Sequence, residues 1–340
     1  MKILIVGGVA GGASTAARLR RLDEHAEIII FERGKNISFA NCGIPYYAGG
    51  VIQEREKLEI LTPQKIKELL NIDARVEIEV VKINRNKKSV IVKDLKTGQE
   101  YEESYDKLVL SPGANPVKPP LKGIESKKIF TIRNLDDADK IKKIIEEEKF
   151  ICRGSIYTEL GLPEIDSDYL KSNDMSSLKT AKAAVIGAGF IGLEIAENLV
   201  HLGIEVTIIE MSPQIINNAD PEIAAQLQNH MKEKGVDILL EEAVESFSEG
   251  NKLEINLKSG KTLEVDFTVL AIGVKPENKL ALEAGLEIGK LGGIKVNEYL
   301  QTLDPDIYAL GDAIEVKDFV SGNDSLIPLA GPANMQGRIV

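Results

Sequence analysis

The stretch KILIVGGVAGGASTAARLRRLDEHAEIIIFERG, residues 2–34, returns in outline at residues 183–212 as AAVIGAGFIGLEIAENLVHLGIEVTIIEMS. Each copy opens with a short apolar, β-branched run closed by glycine, the pattern of a strand buried on both faces of a parallel sheet. A glycine-rich turn then leads into a helical segment, and a second apolar run ends on a glutamate. Gly7 pairs with Gly187, Gly12 with Gly192 and Glu32 with Glu210. A duplicated strand–helix–strand unit leaves few folds open, because each copy must build its own parallel sheet.

A second echo follows each copy. Residues 76–116 and 236–276 both read as alternating strands with a glycine turn, at Thr97-Gly98 and at Ser259-Gly260. Both then close on an apolar strand ending in glycine and proline, Gly113 and Pro116 in one and Gly273 and Pro276 in the other. Period-two patterning around a glycine turn predicts a small antiparallel meander. The expected fold is α/β: two Rossmann-like dinucleotide-binding domains, each with a small antiparallel β-meander. The expected boundaries are 1–116 plus 271–340 for the first, discontinuous domain and 117–270 for the second. An irregular insertion at about 150–180 interrupts the second, and a structureless run of that length breaks the pattern of a compact domain.

GAGFIG at 187–192 matches GxGxxG between a predicted strand and helix. Gly187 permits the tight turn, Gly189 lets a pyrophosphate approach the backbone, and Gly192 allows close helix–strand packing. Phe190 and Ile191 open the helix, whose free N–H groups and dipole favour an anion. Glu210 ends the next strand, where its carboxylate accepts from ribose hydroxyls and repels a 2′-phosphate. That favours NADH, with NADPH left open. In the first loop, GGVAGG, Val9 takes the second glycine position, so Gly7, Gly8, Ala10, Gly11 and Gly12 follow a different path. Glu32 still stands at the ribose position, with Arg33 after it. Late in the chain, YALGDA ends a third apolar strand at Gly311-Asp312.

The ordered set GGVAGG…E, SFANCGIPYY, LVLSPGANP, GAGFIG…E, VLAIGVKP, YALGDA spans nearly the whole chain. It resembles the FAD-dependent pyridine nucleotide-disulfide oxidoreductases. Within them, SFANCGIPYY is similar to the single-cysteine branch of coenzyme A-disulfide reductases and NADH-dependent persulfide reductases. The glutathione reductase-like branch carries CxxxxC, and here Tyr47 stands at the second position. The resemblance implies FAD in the first domain, with Gly113 and Asp312 completing its site, and NADH in the second, with Gly273. It implies Cys42 as the catalytic thiol, cycling through a mixed disulfide with coenzyme A and attacking a small-molecule disulfide or persulfide as a thiolate. A helix N-terminus and the flavin ring are the expected sources of a lowered thiol pKa. Ser38 and Asn41 are the expected neighbours of the thiol-bearing ligand. Arg18 and Arg21, one helical turn apart, are the expected contacts for coenzyme A phosphates. Lys35 is a further candidate near the flavin, whereas Tyr46 and Tyr47 read as packing residues. An in-class alternative is an NADH oxidase or peroxidase cycling Cys42 through a sulfenic acid. The resemblance also implies a homodimer built by a third domain, which is expected to be absent from a chain that ends at Val340. A flavin-binding protein without disulfide turnover is therefore a third reading.

Charge and cysteine content narrow the field further. A net charge of −11 argues against nucleic acid or an anionic membrane as the main partner. The two cysteines, Cys42 and Cys152, build no disulfide framework, and Cys152 falls outside every motif. His25, His201 and His230 are scattered and offer no metal spacing, so no metal is expected. The opening apolar run is too short for a signal peptide, and no later run reaches the roughly 20 residues of a spanning helix. The sequence reads as cytoplasmic.

Overall fold

The computed structural model describes residues 1–147 and 181–340, and these divide into two units. One holds Met1–Ala40, Leu58–Asn115 and Val274–Val340; the other holds Asn41–Lys57 and Pro116–Gly273. The irregular stretch expected at 150–180, with Cys152, lies outside the described residues.

In the first unit a five-stranded parallel sheet runs in the order Ile307–Ala309, Lys107–Leu110, Lys2–Val6, Glu27–Glu32, Asp73–Val76. Its central strands are the unbroken apolar runs of the sequence, and Leu4, Ile5, Ile28, Ile29 and Ile30 are buried. Each such side chain contributes about 1.5–3 kcal/mol by leaving water. The helix Ala10–Leu22 returns the chain between the first two strands. Strands Ile78–Asn84, Ser89–Asp94 and Glu100–Ser104 form the antiparallel meander, and Gly98 turns at φ 75°. The helix Ala330–Gln336 packs along Ala10–Leu22, with the Ser14 hydroxyl donating to Asn334 Oδ1 at 2.7 Å.

Arg20 fastens the far end of the Ala10–Leu22 helix. All five of its guanidinium N–H groups reach carbonyls: Leu70, Asp23, Glu24, Ala26 and Asn71, at 2.6–3.1 Å. One side chain thus ties the stretch that follows this helix to the C-terminal end of the helix Pro63–Leu70, where the Leu70 carbonyl is one of the orphan acceptors.

The second unit repeats the plan. Its parallel sheet runs Val236–Leu239, Glu205–Ile209, Lys182–Ile186, Phe267–Leu270, Ile129–Thr131. The meander is Val244–Glu249, Leu253–Leu257 and Thr262–Val265, turning at Gly260 with φ 87°. Helices Leu135–Glu147, Phe190–His201 and Pro221–Glu233 belong to this unit. The architecture is the expected one, two Rossmann-like units each carrying a meander.

The grouping of one segment differs from expectation. Residues 41–57 were expected with the first domain and group with the second. The short helix Ile44–Ala48 packs on Phe190–His201 and on Leu135–Glu147, and its Ile44, Pro45, Tyr47 and Ala48 are buried. The ends of the excursion stay in the first unit: the Ala40 N–H donates to Leu58 O at 2.9 Å, and Phe39 bridges Glu59.

Candidate active site

The two glycine loops are built alike, and the backbone explains most of their glycines. Gly7 and Gly187 adopt φ 92° and 101°, in the left-handed region, and a Cβ on either would strike a backbone carbonyl, of Ser111 and Ala271 respectively. Gly12 and Gly192 bring the helix against the turn, where a Cβ would meet the carbonyl oxygen of Gly7 or Gly187. Gly189 is different. Its φ is −78°, the residue is exposed, and among the described residues no atom beyond its own chain neighbours and helix backbone lies within 4 Å of where its Cβ would stand. Nothing in the described fold requires glycine there, and the space beside its backbone is open. Phe190 and Ile191, beside it, are 57% and 37% exposed, large apolar side chains at the mouth of the helix.

The glutamates of the two repeats are held identically. Glu32 Oε2 accepts from the Gly8 N–H at 2.9 Å and Oε1 from Gly34 at 2.7 Å. Glu210 Oε2 accepts from the Ala188 N–H at 2.7 Å and Oε1 from Ser212 at 2.8 Å. Each carboxylate is thereby fixed beside its glycine loop and keeps further lone pairs for a hydroxyl donor. This arrangement suits a ribose at either loop.

Around the first loop, Gly8 is buried against Ile37, and Gly11 lies against Leu310 and Ser111. Ala10 begins the helix, and Val9 is its N-cap. Arg33 reaches Asn115 Oδ1 at 3.1 Å and Glu277 Oε2 at 3.4 Å. Gly113 turns at φ 76° and its carbonyl accepts from the Glu277 N–H. Asp312 sits in the turn Gly311–Ala313 after the strand Ile307–Ala309. Ser38, buried, takes φ 53°, a strained conformation for a non-glycine residue, and is held by Gly8 O and Ile60 N. Lys35 is exposed. On the Ala10–Leu22 helix Arg21 is exposed, while Arg18 is half-buried with an Nε that finds no hydrogen-bond partner among the described residues.

Cys42 lies in the second unit, exposed, in the turn Asn41–Gly43 that leads into Ile44–Ala48. Asn41 is half-buried beside it. The following segment is pressed onto the Phe190–His201 helix: a Cβ on Gly49 would lie 2.5 Å from that of Asn198. Gly273, with φ 109°, closes the strand Phe267–Leu270, and its carbonyl accepts from the Val117 N–H at 3.0 Å.

Two features of this unit escaped the sequence. Burial, then the neighbouring Glu197 charge, pushes the Glu194 carboxyl up. Burial raises the Tyr46 hydroxyl as well, helped by Glu194, Glu197 and Cys42. Glu194 directly follows the GFIGL of the glycine helix, and its place on the inner face was readable from helical spacing. The second feature is a polar staple: the Tyr47 hydroxyl donates to Asp139 Oδ1 at 3.0 Å and Arg55 Nε to Asp139 Oδ2 at 3.0 Å.

The pyridine nucleotide-disulphide oxidoreductase family matches residues 1–337. This chain belongs to that family. An NADH oxidase of Methanocaldococcus jannaschii is 34% identical over all of this chain and 69% of its own length. A coenzyme A disulfide reductase of Staphylococcus aureus is 34% identical over the same share. Among solved structures, reduced Bacillus anthracis CoADR-RHD is 49% identical, with a TM-score of 0.89 over 99% of this chain. An NAD-dependent persulfide reductase from A. fulgidus is 37% identical, with a TM-score of 0.88 over the whole chain. The chain spans 55% and 58% of those two structures. The family match takes in both glycine loops and both glutamates, which lie within residues 1–337. Among the described residues no helix is long and apolar enough to cross a membrane, and no group of three or more His, Cys, Asp or Glu could hold a metal ion.

Proposed function

We propose that the chain is an FAD-dependent reductase that uses NADH to open sulfur–sulfur bonds at Cys42, with coenzyme A disulfide or a related persulfide as substrate. The observation that carries this reading is Cys42 itself, an exposed thiol on a turn leading into the short helix Ile44–Ala48, which packs on the helix of the second glycine loop. No second cysteine stands in its turn, and in this reading its disulfide partner is an external thiol. The names of the coenzyme A disulfide reductase and persulfide reductase relatives support the substrate class.

In this reading Gly7, Gly8, Ala10, Gly11 and Gly12 cradle the FAD pyrophosphate and Glu32 its ribose, with Arg33, Gly113 and Asp312 completing the site. Gly187, Gly189, Phe190, Ile191 and Gly192 receive the NADH pyrophosphate, Glu210 its ribose and Gly273 the far side. The bare backbone at Gly189 and the pre-positioned carboxylates fit these groups. Ser38, Asn41, Arg18 and Arg21 hold the coenzyme A thiol and phosphates. The Cys42 thiolate attacks one sulfur of R–S–S–R, forming Cys42–S–S–R and expelling R–S⁻, which leaves as the thiol on protonation. Bound FAD supplies the two electrons, drawn from NADH, that reopen the mixed disulfide to a thiolate and, with a proton, RSH.

The test is an anaerobic titration of the FAD-loaded protein with NADH, followed by coenzyme A disulfide. Thiol release that disappears in Cys42→Ser is the expected result. Release that persists in that variant overturns the reading. The NADH oxidase relative gives the second reading a footing, with Cys42 cycling through sulfenic acid. Rapid reoxidation by oxygen with no thiol release would favour it.

A further inference from the structure

The helix Ile44–Ala48 has five residues and no side-chain cap, far below the length at which a helix holds itself together. The position of Cys42, two residues before it, is therefore set by what anchors the segment to its surroundings. Apolar burial of Ile44, Pro45 and Ala48 provides adhesion without direction. Direction comes from Asp139 on the helix Leu135–Glu147. One of its carboxylate oxygens takes the Tyr47 hydroxyl at 3.0 Å and the other takes Arg55 Nε at 3.0 Å. A single side chain thus ties both arms of the excursion 41–57. Arg55 extends the tie to Asp136 at 3.6 Å, and the Lys142 ammonium sits 4.2 Å from the centroid of the Tyr47 ring.

We propose that Asp139 is a positioning residue for Cys42, acting through Tyr47 and Arg55 to fix the turn that carries the thiol. The inference rests on the proposed role of Cys42 as the redox sulfur. Its ion pair with Arg55 is partly solvated, 39% exposed on the Asp139 side, and such pairs alone hold weakly. The stronger half is the charge-assisted bond from Tyr47, whose residue is only 7% exposed. Burial and that bond push the Tyr47 hydroxyl up to about 12, so it remains a donor throughout the neutral range. With the staple gone, the turn keeps its apolar contacts but loses the fixed path that presents Sγ.

The experiment compares Asp139→Ala, Asp139→Asn and Tyr47→Phe with the unaltered FAD-loaded protein by two readouts. The first is hydrogen exchange at the Gly49, Gly50 and Ile52 amides, which bond Pro45, Tyr47 and Tyr46 carbonyls. Their exchange is expected to rise at least tenfold in Asp139→Ala while amides of Phe190–His201 keep their protection. The second is NADH-driven thiol release from a mixed disulfide preformed at Cys42. It is expected to fall at least tenfold in Asp139→Ala while flavin reduction by NADH stays within twofold. Asp139→Asn, which keeps an acceptor for Tyr47, is expected to recover part of the loss, and Tyr47→Phe, which keeps the Arg55 pair, to fall between. Faster exchange with unchanged release would make Asp139 a structural tie only and overturn the proposal. An equal fall in flavin reduction, or lost protection in Phe190–His201, would overturn it as general destabilisation. Cys42→Ser separates the two claims. With free coenzyme A disulfide in place of the preformed mixed disulfide, thiol release that persists in Cys42→Ser refutes the redox role of Cys42 and with it this proposal, whereas release lost there but intact in Asp139→Ala refutes only Asp139.

Discussion

Gly189 and Gly192 stand three residues apart in one loop, yet replacing each with alanine should move the protein in opposite directions. At Gly192 the new methyl would lie on the Gly187 carbonyl oxygen, with the Ala271 Cβ 3.4 Å away. Its obstacles are turn backbone and a packed strand end, neither able to swing aside. Overpacking of this kind costs about 1–3 kcal/mol. For a unit of this size that lowers the unfolding midpoint by about 2–4 °C per kcal/mol. At Gly189 the backbone is already at φ −78°, ψ −176°, which alanine adopts freely, and among the described residues the methyl meets nothing within 4 Å beyond its own chain neighbours and helix backbone. Alanine should stabilise the fold there by about 0.4–1 kcal/mol, because it narrows the unfolded ensemble. The same methyl occupies the space through which a pyrophosphate reaches the helix N-terminus, so NADH affinity should fall at least about tenfold. Calorimetry of the two variants reads the first quantity, and titration with NADH reads the second. If Gly189→Ala unfolds as early as Gly192→Ala, the open space is not real. If it binds NADH as tightly as the parent, the glycine is not there for the nucleotide, and the assignment of the loop falls.

Three further outcomes follow from the same geometry. Glu210→Ala removes the acceptor for the Ala188 and Ser212 amides together with a negative charge, so the preference for NADH over NADPH should shrink by about tenfold or more. An unchanged ratio of the two dissociation constants would remove the charge argument. Glu194, raised above its ordinary 4.5 by burial and then by Glu197, favours folding when protonated and opposes it as pH rises through its shifted value. Glu194→Gln should therefore be the more stable protein at neutral pH, with an advantage that vanishes below about pH 4.5; a gap independent of pH in denaturant titrations would refute this. Arg20→Lys keeps the charge but offers at most three donors to five carbonyls, and should cost about 2 kcal/mol in urea unfolding. A loss below roughly 0.5 kcal/mol would mean water replaces the cap.

The parts of the fold that the sequence announces are those where only one residue type fits. Gly7, Gly12, Gly187 and Gly192 each press on a backbone carbonyl that no side chain can tolerate, so their spacing survives as a visible repeat. The unbroken apolar runs are visible for a similar reason, since a strand covered on both faces has no place for a polar residue. The membership of residues 41–57 was not visible. It depends on Tyr47 meeting Asp139 across 92 positions and Arg55 meeting it across 84, polar pairs that leave no periodic trace. The excursion also has no counterpart in the second half of the repeat, so symmetry pointed the wrong way. Arg20 was hidden likewise, because its five partners are carbonyls, which every residue has.

The irregular first loop shows why a broken motif can still be read as a dinucleotide site. Val9 stands where the second repeat has Gly189, and it serves as the helix N-cap with φ −92° and ψ −132°. The glycines around it are required by the protein's own packing: a Cβ on Gly8 would meet Ile37, and one on Gly11 would meet Leu310 and Ser111. In the second loop the position that tolerates a side chain sterically is the one that holds glycine, and it faces outward. The loops therefore share a turn, a helix start and a clamped glutamate, but differ in where bare backbone is offered. What links them chemically is the carboxylate, since Glu32 and Glu210 each bind the amide after the first glycine and the amide two residues beyond themselves. A glutamate engaged in this way stabilises its own loop before any ligand arrives, and the ribose then meets an acceptor already oriented. Preorganisation by the second strand, more than the count of glycines, is the reason the degenerate loop and the regular one can both be dinucleotide sites.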